Sequence, residues 1–277
     1  MSHRRKKGLV SGRPGVSKTT KASLSAKAGR TIIRSHHQLT KALDAATKSG
    51  DAKLILEIQQ QIEAQGGLSS YQHASLLGQS DERGGDTSKL LVDWLKPRFK
   101  GADGSIRVLE VGALSTSNAC SKWDRMIVTR IDLNSQQRGI LQQDFMERPQ
   151  PTSDEDLFDV ISLSLVLNYV PDKEGRGRML SRTCLFLDQS RTGTLCPPCL
   201  FLVLPAPCVQ NSRYMTHEHL ARIMNALGYH ALEVKTTNKL YYSLWEYNLD
   251  QKAPVAGFTK RTELNPGKAR NNFSVIL

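Results

Sequence analysis

Four short apolar runs, at residues 106–111, 126–131, 160–166 and 200–204, are separated by polar connections. Continuous rather than alternating runs suit strands covered on both faces, as in a parallel sheet with helices on either side. Their alternation with helix-like or looped connections predicts right-handed crossovers and an α/β fold. Two positions narrow this further. Gly112 closes the first run and Asp132, 20 residues on, closes the second. A glycine there lets the chain turn tightly beside a ligand, and an acid one strand over can accept hydrogen bonds from ribose hydroxyls.

The turn reads Gly112-Ala113-Leu114-Ser115, with one glycine. A G-x-G-x-x-G loop brings backbone amides against a pyrophosphate at a helix N-terminus, and its absence argues against NAD or FAD. A ligand with an adenosine but no phosphate still fits, so S-adenosylmethionine is the expected cofactor.

Charge divides the chain. Eleven of its 38 Lys and Arg lie within residues 1–43, which hold no acid, so the other 27 face all 26 acids and the body is close to neutral. The head is also poor in large apolar side chains, which predicts a disordered basic arm over residues 1–35 that cannot repay the entropy of folding alone. Such an arm suits a polyanion, either as RNA-phosphate contacts with a nuclear or nucleolar address or as a solubilising tail. No apolar stretch reaches the length of a signal peptide or a membrane span.

Five cysteines without a secretory signal suit a reducing compartment. Cys196 and Cys199 have the spacing of a zinc knuckle, with Cys184 and Cys208 as further ligands in principle. The pair runs straight into an apolar strand, however, and reduced thiols are the preferred reading, with no metal expected.

Leu39, Leu43, Leu54, Ile55, Ile58 and Ile62 recur at helical spacing, broken at Ser49-Gly50-Asp51 with Asp51 as a plausible N-cap. Gly66-Gly67 stops the second helix, a third covers 69–79, and Asp86-Thr87-Ser88 starts a fourth at 89–96, before Pro97. A helical subdomain or lid is thus expected over 36–100, and a ligand-binding domain over 101–277. Residues 216–227, closed by Gly228, read as another helix. Three β-like runs follow, at 231–235, 240–247 and 273–277; two of them should form a terminal hairpin, and composition does not say which.

Four sites fall at the C-terminal ends of consecutive expected strands, counting a further short run at 139–141, where α/β sheets bind ligands: Glu110 with Gly112, Asp132, Gln143-Asp144-Phe145 after 139–141, and Ser162-Leu163-Ser164 continuing to Asn168-Tyr169. This order resembles the class I S-adenosylmethionine-dependent methyltransferases, whose Rossmann-like sheet is mostly parallel. The resemblance implies Glu110 and Gly112 at the methionine end of the cofactor and Asp132 at its ribose. It implies Asp144 at the adenine amino group with Phe145 against the ring, and Ser162 and Leu163 near the methyl.

Longer stretches narrow it further: 67–79, 89–95, 130–134, 143–145, 159–171, 264–268 and 270–277. They are similar to the fungal nucleolar 25S rRNA adenine-N1 methyltransferases, over essentially residues 35–277. That likeness implies methylation of N1 of one adenine in large-subunit rRNA, in the nucleolus, with pre-60S rRNA as partner. A methyltransferase-like sensor of S-adenosylmethionine acting through protein partners is the alternative.

Adenine N1 is a neutral lone-pair nucleophile, so the reaction asks for in-line placement more than for a general base. An Asn/Asp-Pro-Pro-Tyr sequence, used to hold the exocyclic amine in N6 enzymes, is absent. In a duplex N1 lies inside the base pair, so the target must be single-stranded or flipped and then held by stacking and edge contacts. Asn168, Tyr169 and Tyr214 are candidates for this, with ordinary core packing as the competing role of each tyrosine. Ser162, Asn168 and Tyr169 form the candidate catalytic group. Tyr71, Gln72, Ser75 and Gln79 share a polar helix face that is either simply hydrated or a lid over the pocket.

Overall fold

The computed structural model describes residues 25–78, 85–99, 104–135, 137–191, 197–255 and 257–277. Helix α1 (Ala26–Ser49) starts where Ser25 accepts a hydrogen bond from the Ala28 amide and stops at Gly50, which takes the left-handed conformation at φ 72°. Helix α2 (Ala52–Ala64) is capped by Asp51, whose Oδ1 accepts from Leu54 N at 3.0 Å. The expected break at 49–51 is therefore made by local capping chemistry. Helix α3 (Gly67–Gly78) packs with α2 against α1. The expected boundary at residue 35 falls inside α1, because Ser25 caps a helix in the Ala- and Arg-containing segment that follows. The rest of the expected arm, residues 1–24, lies outside the described residues.

Helix α4 (Ser88–Leu95) buries Leu91, Val92 and Leu95 against the sheet. Next come β1 (Ile106–Val111), a single turn α5 (Ala119–Lys122), β2 (Met126–Asp132), β3 (Leu141–Gln142) and β4 (Val160–Ser164). Then follow α6 (Lys173–Thr183), β5 (Cys199–Pro205), α7 (Pro207–Gln210), α8 (His217–Leu227), β6 (Tyr229–Thr236) and β7 (Leu240–Tyr247). The strands form one sheet in the order β3-β2-β1-β4-β5-β7-β6. Pairing is parallel from β3 to β5, while β7 runs antiparallel to both β5 and β6.

One core cluster joins Leu109, Ile161 and Leu202 to Leu220 and Ile223 of α8; the other joins Val108, Val160 and Phe201 to Leu91 and Leu95 of α4. Both faces are covered, as continuous apolar runs require. The terminal hairpin is β6–β7. Residues 273–277 form no strand; Phe273 and Val275 instead pack into the first cluster. The fourth strand is two residues shorter than its apolar run, since Leu165 turns to φ 58° immediately after Ser164.

The strand order reverses between β1 and β4, which lie side by side although β2 and β3 come between them in sequence. In open α/β sheets, the crevice outside the carboxyl ends at such a reversal is where ligands bind.

Candidate functional site

The β1 exit is shaped by Gly112. Its φ of +72° suits glycine, and a Cβ placed on it would stand 2.6 Å from Cγ2 of Val166, in the segment leaving β4. The amides of Gly112 and Ala113 both donate to Ile131 O, at 2.8 and 3.1 Å, so the turn is pinned to β2. The two strand exits therefore touch at a position where no larger residue fits.

Glu110 and Ser162 are register partners on β1 and β4, and their side chains share a sheet face. Glu110 is engaged with its neighbours. Oε1 accepts from Asn118 Nδ2 at 2.6 Å, and Oε2 lies 3.8 Å from Cys120 Sγ and 3.9 Å from Arg130 Nε. Burial pushes the Glu110 carboxyl above the ordinary range, against the pull of Asn118 and Arg130. Glu110 thus organises the β1–α5 loop.

Asp132 is half-buried at the end of β2, and its Oδ1 accepts from Asn134 N at 2.9 Å, an Asx turn that fixes the carboxylate's direction. Asp144 is held in the same manner, accepting from Met146 N at 2.8 Å. Phe145 is a correction. Its ring is 2% exposed and packs against Phe186 at 5.5 Å, with the Arg182 guanidinium 5.9 Å from its centre, so the side chain belongs to the core and not against a ligand ring. Leu163 is likewise corrected: it is fully buried in the first cluster, on the face opposite Ser162. Ser162 is buried between Glu110 and Phe201 in the register.

Beyond β4, Leu165 is the non-glycine residue with positive φ among the described residues. Strain of this kind persists where the surroundings over-determine it, commonly beside ligands. Three residues on, Asn168 Oδ1 is buried without a hydrogen-bond partner in the structure. Tyr169 is stacked by His37 of α1, with ring centres 3.8 Å apart and planes at 17°. Burial, aided by Lys41, His36 and Arg176, pulls the His37 imidazole down to about 4, so the stacked ring is neutral at physiological pH. Tyr214 carries Arg261 over its ring at 4.0 Å. The side chains of Tyr71, Gln72 and Ser75, and all of Gln79, lie outside the described residues, as does Cys196.

Several residues here were not singled out from the sequence. Arg176 is buried and donates to the carbonyls of Val170, Pro171 and Ser274 at 2.9, 3.1 and 2.7 Å, tying the C-terminal segment to the loop that carries Asn168 and Tyr169. Arg213 does similar work with Gly267, Lys268 and Asn272. Asp86, Thr87 and Ser88, read only as a helix start, reach into the crevice. The available signal was the Asp-x-Ser pattern, which marks a turn wherever it occurs.

The sheet order, the antiparallel β7 and a glycine-cleared crevice at the reversal define a class I methyltransferase fold. The sequence model of one family within it, described as "Bmt2: 25S rRNA (adenine(2142)-N(1))-methyltransferase, Bmt2", matches residues 56–275. The chain belongs to this family. It is 39% identical over 250 residues to the 25S rRNA (adenine(2142)-N(1))-methyltransferase of Saccharomyces cerevisiae, covering 89% of this chain and 71% of that one. It is 35% identical over 256 residues to the 25S rRNA adenine-N(1) methyltransferase of Schizosaccharomyces pombe, covering 89% and 90%. Among solved structures, the N-methyltransferase NodS of Bradyrhizobium japonicum with S-adenosyl-l-homocysteine aligns at 13% identity and a TM-score of 0.38, over 57% of this chain and 86% of that one. An O-methyltransferase family protein of Burkholderia thailandensis aligns at 9% and 0.44, over 65% and 60%.

Proposed function

We propose that this protein is an S-adenosylmethionine-dependent methyltransferase acting on N1 of an adenine in large-subunit rRNA. The observation that carries the reading is the 39% identity to the yeast enzyme over 250 residues. The crevice supports it with a side-chain-free approach at Gly112 and fixed carboxylates at Asp132 and Asp144. This donor set fits an adenosine with a sulfonium tail: acceptors for hydroxyl and amino groups are present, and no multi-glycine phosphate loop is.

In this reading, Asp132 accepts from the ribose hydroxyls, Asp144 takes the adenine amino group, and the Gly112 turn leaves space for the chain between them. S-adenosylmethionine, when bound, supplies an electrophilic methyl on sulfur. The protein's own task is to place the target N1 in line with it, because the lone pair needs no base to attack. The buried acceptor of Asn168 suits the target's exocyclic amine, which lies beside N1 on the same edge of the ring. Tyr169 offers a stacking surface, with His37 on one face. Ser162 lines the wall shared with Glu110. Seven of the eleven cations of the head precede α1; in this reading they supply RNA-phosphate affinity and a nuclear, nucleolar address, consistent with a role in ribosome biogenesis on a pre-60S particle.

The test is transfer of label from S-adenosylmethionine to adenine in undermodified large-subunit rRNA, with N1 methylation read as a primer-extension stop. Binding of the cofactor without transfer to any RNA would overturn the enzymatic reading. Deletion of residues 1–24, which ends before α1, should weaken RNA binding and flatten its salt dependence while cofactor binding survives.

A further inference from the structure

Helix α5 is one turn long, too short to hold itself, and its first amides have no partner within it. Side chains from 33 and 32 residues upstream supply them. Ala119 N donates to Asp86 Oδ2 at 2.5 Å, and Cys120 N donates to Ser88 Oγ at 3.1 Å. Ser88 is itself fastened, its amide and hydroxyl both donating to Asp86 Oδ1 at 2.9 and 2.7 Å. A carboxylate at a helix start is electrostatically favourable, and here it is part of a half-buried network. Asn118, the residue before α5, is the one that donates to Glu110 at the β1 exit. On the other side, the hydroxyls of Thr87 and Ser164 share a hydrogen bond of 2.8 Å at the end of β4. Three consecutive residues thus touch the β4 end directly, through Thr87, and the β1 end by way of α5 and Asn118.

We propose that Asp86 is a positioning residue for the cofactor, setting the β1–α5 loop through Ala119 and Ser88 while its neighbour Thr87 holds the β4 exit. The proposal rests on the crevice being the S-adenosylmethionine pocket. Asp86 acts on ligand affinity through Asn118 and Glu110, without being a ligand itself. It also has a specificity consequence. The α5 amides that a dinucleotide's phosphate would need are already taken, Ala119 N by the Asp86 carboxylate and Cys120 N by the Ser88 hydroxyl, and the carboxylate would in addition repel a phosphate. The ligand favoured at this loop is therefore one without phosphates.

The experiment is calorimetric titration of the full chain with S-adenosylhomocysteine, alongside thermal melting and steady-state kinetics, for Asp86→Ala, Asp86→Asn and Thr87→Val. Asp86→Ala should weaken binding on the order of tenfold and raise KM for S-adenosylmethionine, with kcat and the KM for RNA little changed. Asp86→Asn keeps one acceptor oxygen and should fall between wild type and alanine. If Asp86→Ala fails to fold, Thr87→Val, which removes only the hydroxyl contact to Ser164, should show the same split at smaller size. A lowered melting temperature with unchanged S-adenosylhomocysteine affinity in the folded variants would overturn the proposal and leave Asp86 a purely structural cap. If wild type binds no S-adenosylhomocysteine, the pocket reading fails, and the proposal fails with it.

Discussion

The exits of β1 and β4 sit side by side and solve the same problem differently. Each strand ends by passing through the left-handed region, β1 at Gly112 with φ 72° and β4 at Leu165 with φ 58°. At β1 the turn itself carries no strain: a glycine meets no steric penalty, and two amides pin it to β2. At β4 a leucine is held in a conformation it disfavours, and the loop beyond it is braced from afar. His37 of α1 stacks on Tyr169, Arg176 of α6 binds the carbonyls of Val170 and Pro171, and the C-terminal segment closes over the same arginine. Under the proposed function, the pinned β1 turn would meet the cofactor common to every turnover, and the β4 loop, assembled from separable parts, would admit and release the target base.

The largest test of the contrast is Gly112→Arg. A long side chain at a position where a single Cβ already meets Val166 at 2.6 Å should cost at least about 100-fold in S-adenosylhomocysteine affinity and abolish transfer. An active, ligand-binding Gly112→Arg protein would remove the site from this crevice. Next, Arg176→Met should destabilise the protein by about 3 kcal/mol, since it strands three carbonyls in a buried place. Chemical denaturation checks this, and an unchanged midpoint would show that the β4 loop does not depend on its brace.

Gly112→Ala should cost about 1–2 kcal/mol from the left-handed backbone alone, plus the Val166 overlap. Adding Val166→Ala should recover the overlap but not the backbone part, so a double-mutant cycle separates them. Additive costs would mean that the two exits do not press on each other.

A smaller effect concerns His37, whose imidazole is held down to about 4, below its ordinary 6.5. Because the folded form resists protonation, the stability it contributes is complete above about 6.5 and is lost as pH falls toward about 4. Protection factors for hydrogen exchange in α1, corrected for the intrinsic rate at each pH, should therefore fall across that window, and His37→Phe should flatten the response. Lys41, His36 and Arg176, the charges facing this ring, all act in the same direction. The smallest effect is expected of Leu165→Asn, which tolerates positive φ: relieved strain and lost packing should nearly cancel, within about 1 kcal/mol in a melting experiment.

The fold was largely legible in the sequence because its signals are local. Continuous apolar runs marked β1, β2, β4 and β5 to within about two residues at each end. Asp51, Thr216 and Gly228 announced helix ends by chemistry that acts within a single turn. The segment 273–277 was ambiguous because its apolar residues say only that it is buried, and its packing without strand pairing comes from Arg176 binding Ser274 O, 98 residues apart in sequence. The site was legible as positions and not as roles. Gly112, Asp132 and Asp144 stand at strand ends as expected, while Phe145 and Leu163 turn into the core.

By itself, then, the sequence determined which segments become strands and helices, where they stop, and the family to which the chain belongs. Those properties depend on burial periodicity, caps and backbone conformations felt over a few residues. Only the tertiary structure decided that Val166 sets the limit at Gly112, that Glu110 spends its carboxylate on Asn118, and that Asp86 holds a helix 33 residues away. Hydrogen bonds and close contacts between remote side chains depend on distances of a few tenths of an ångström. No pattern along the chain encodes such distances before the sheet has brought its strand ends together.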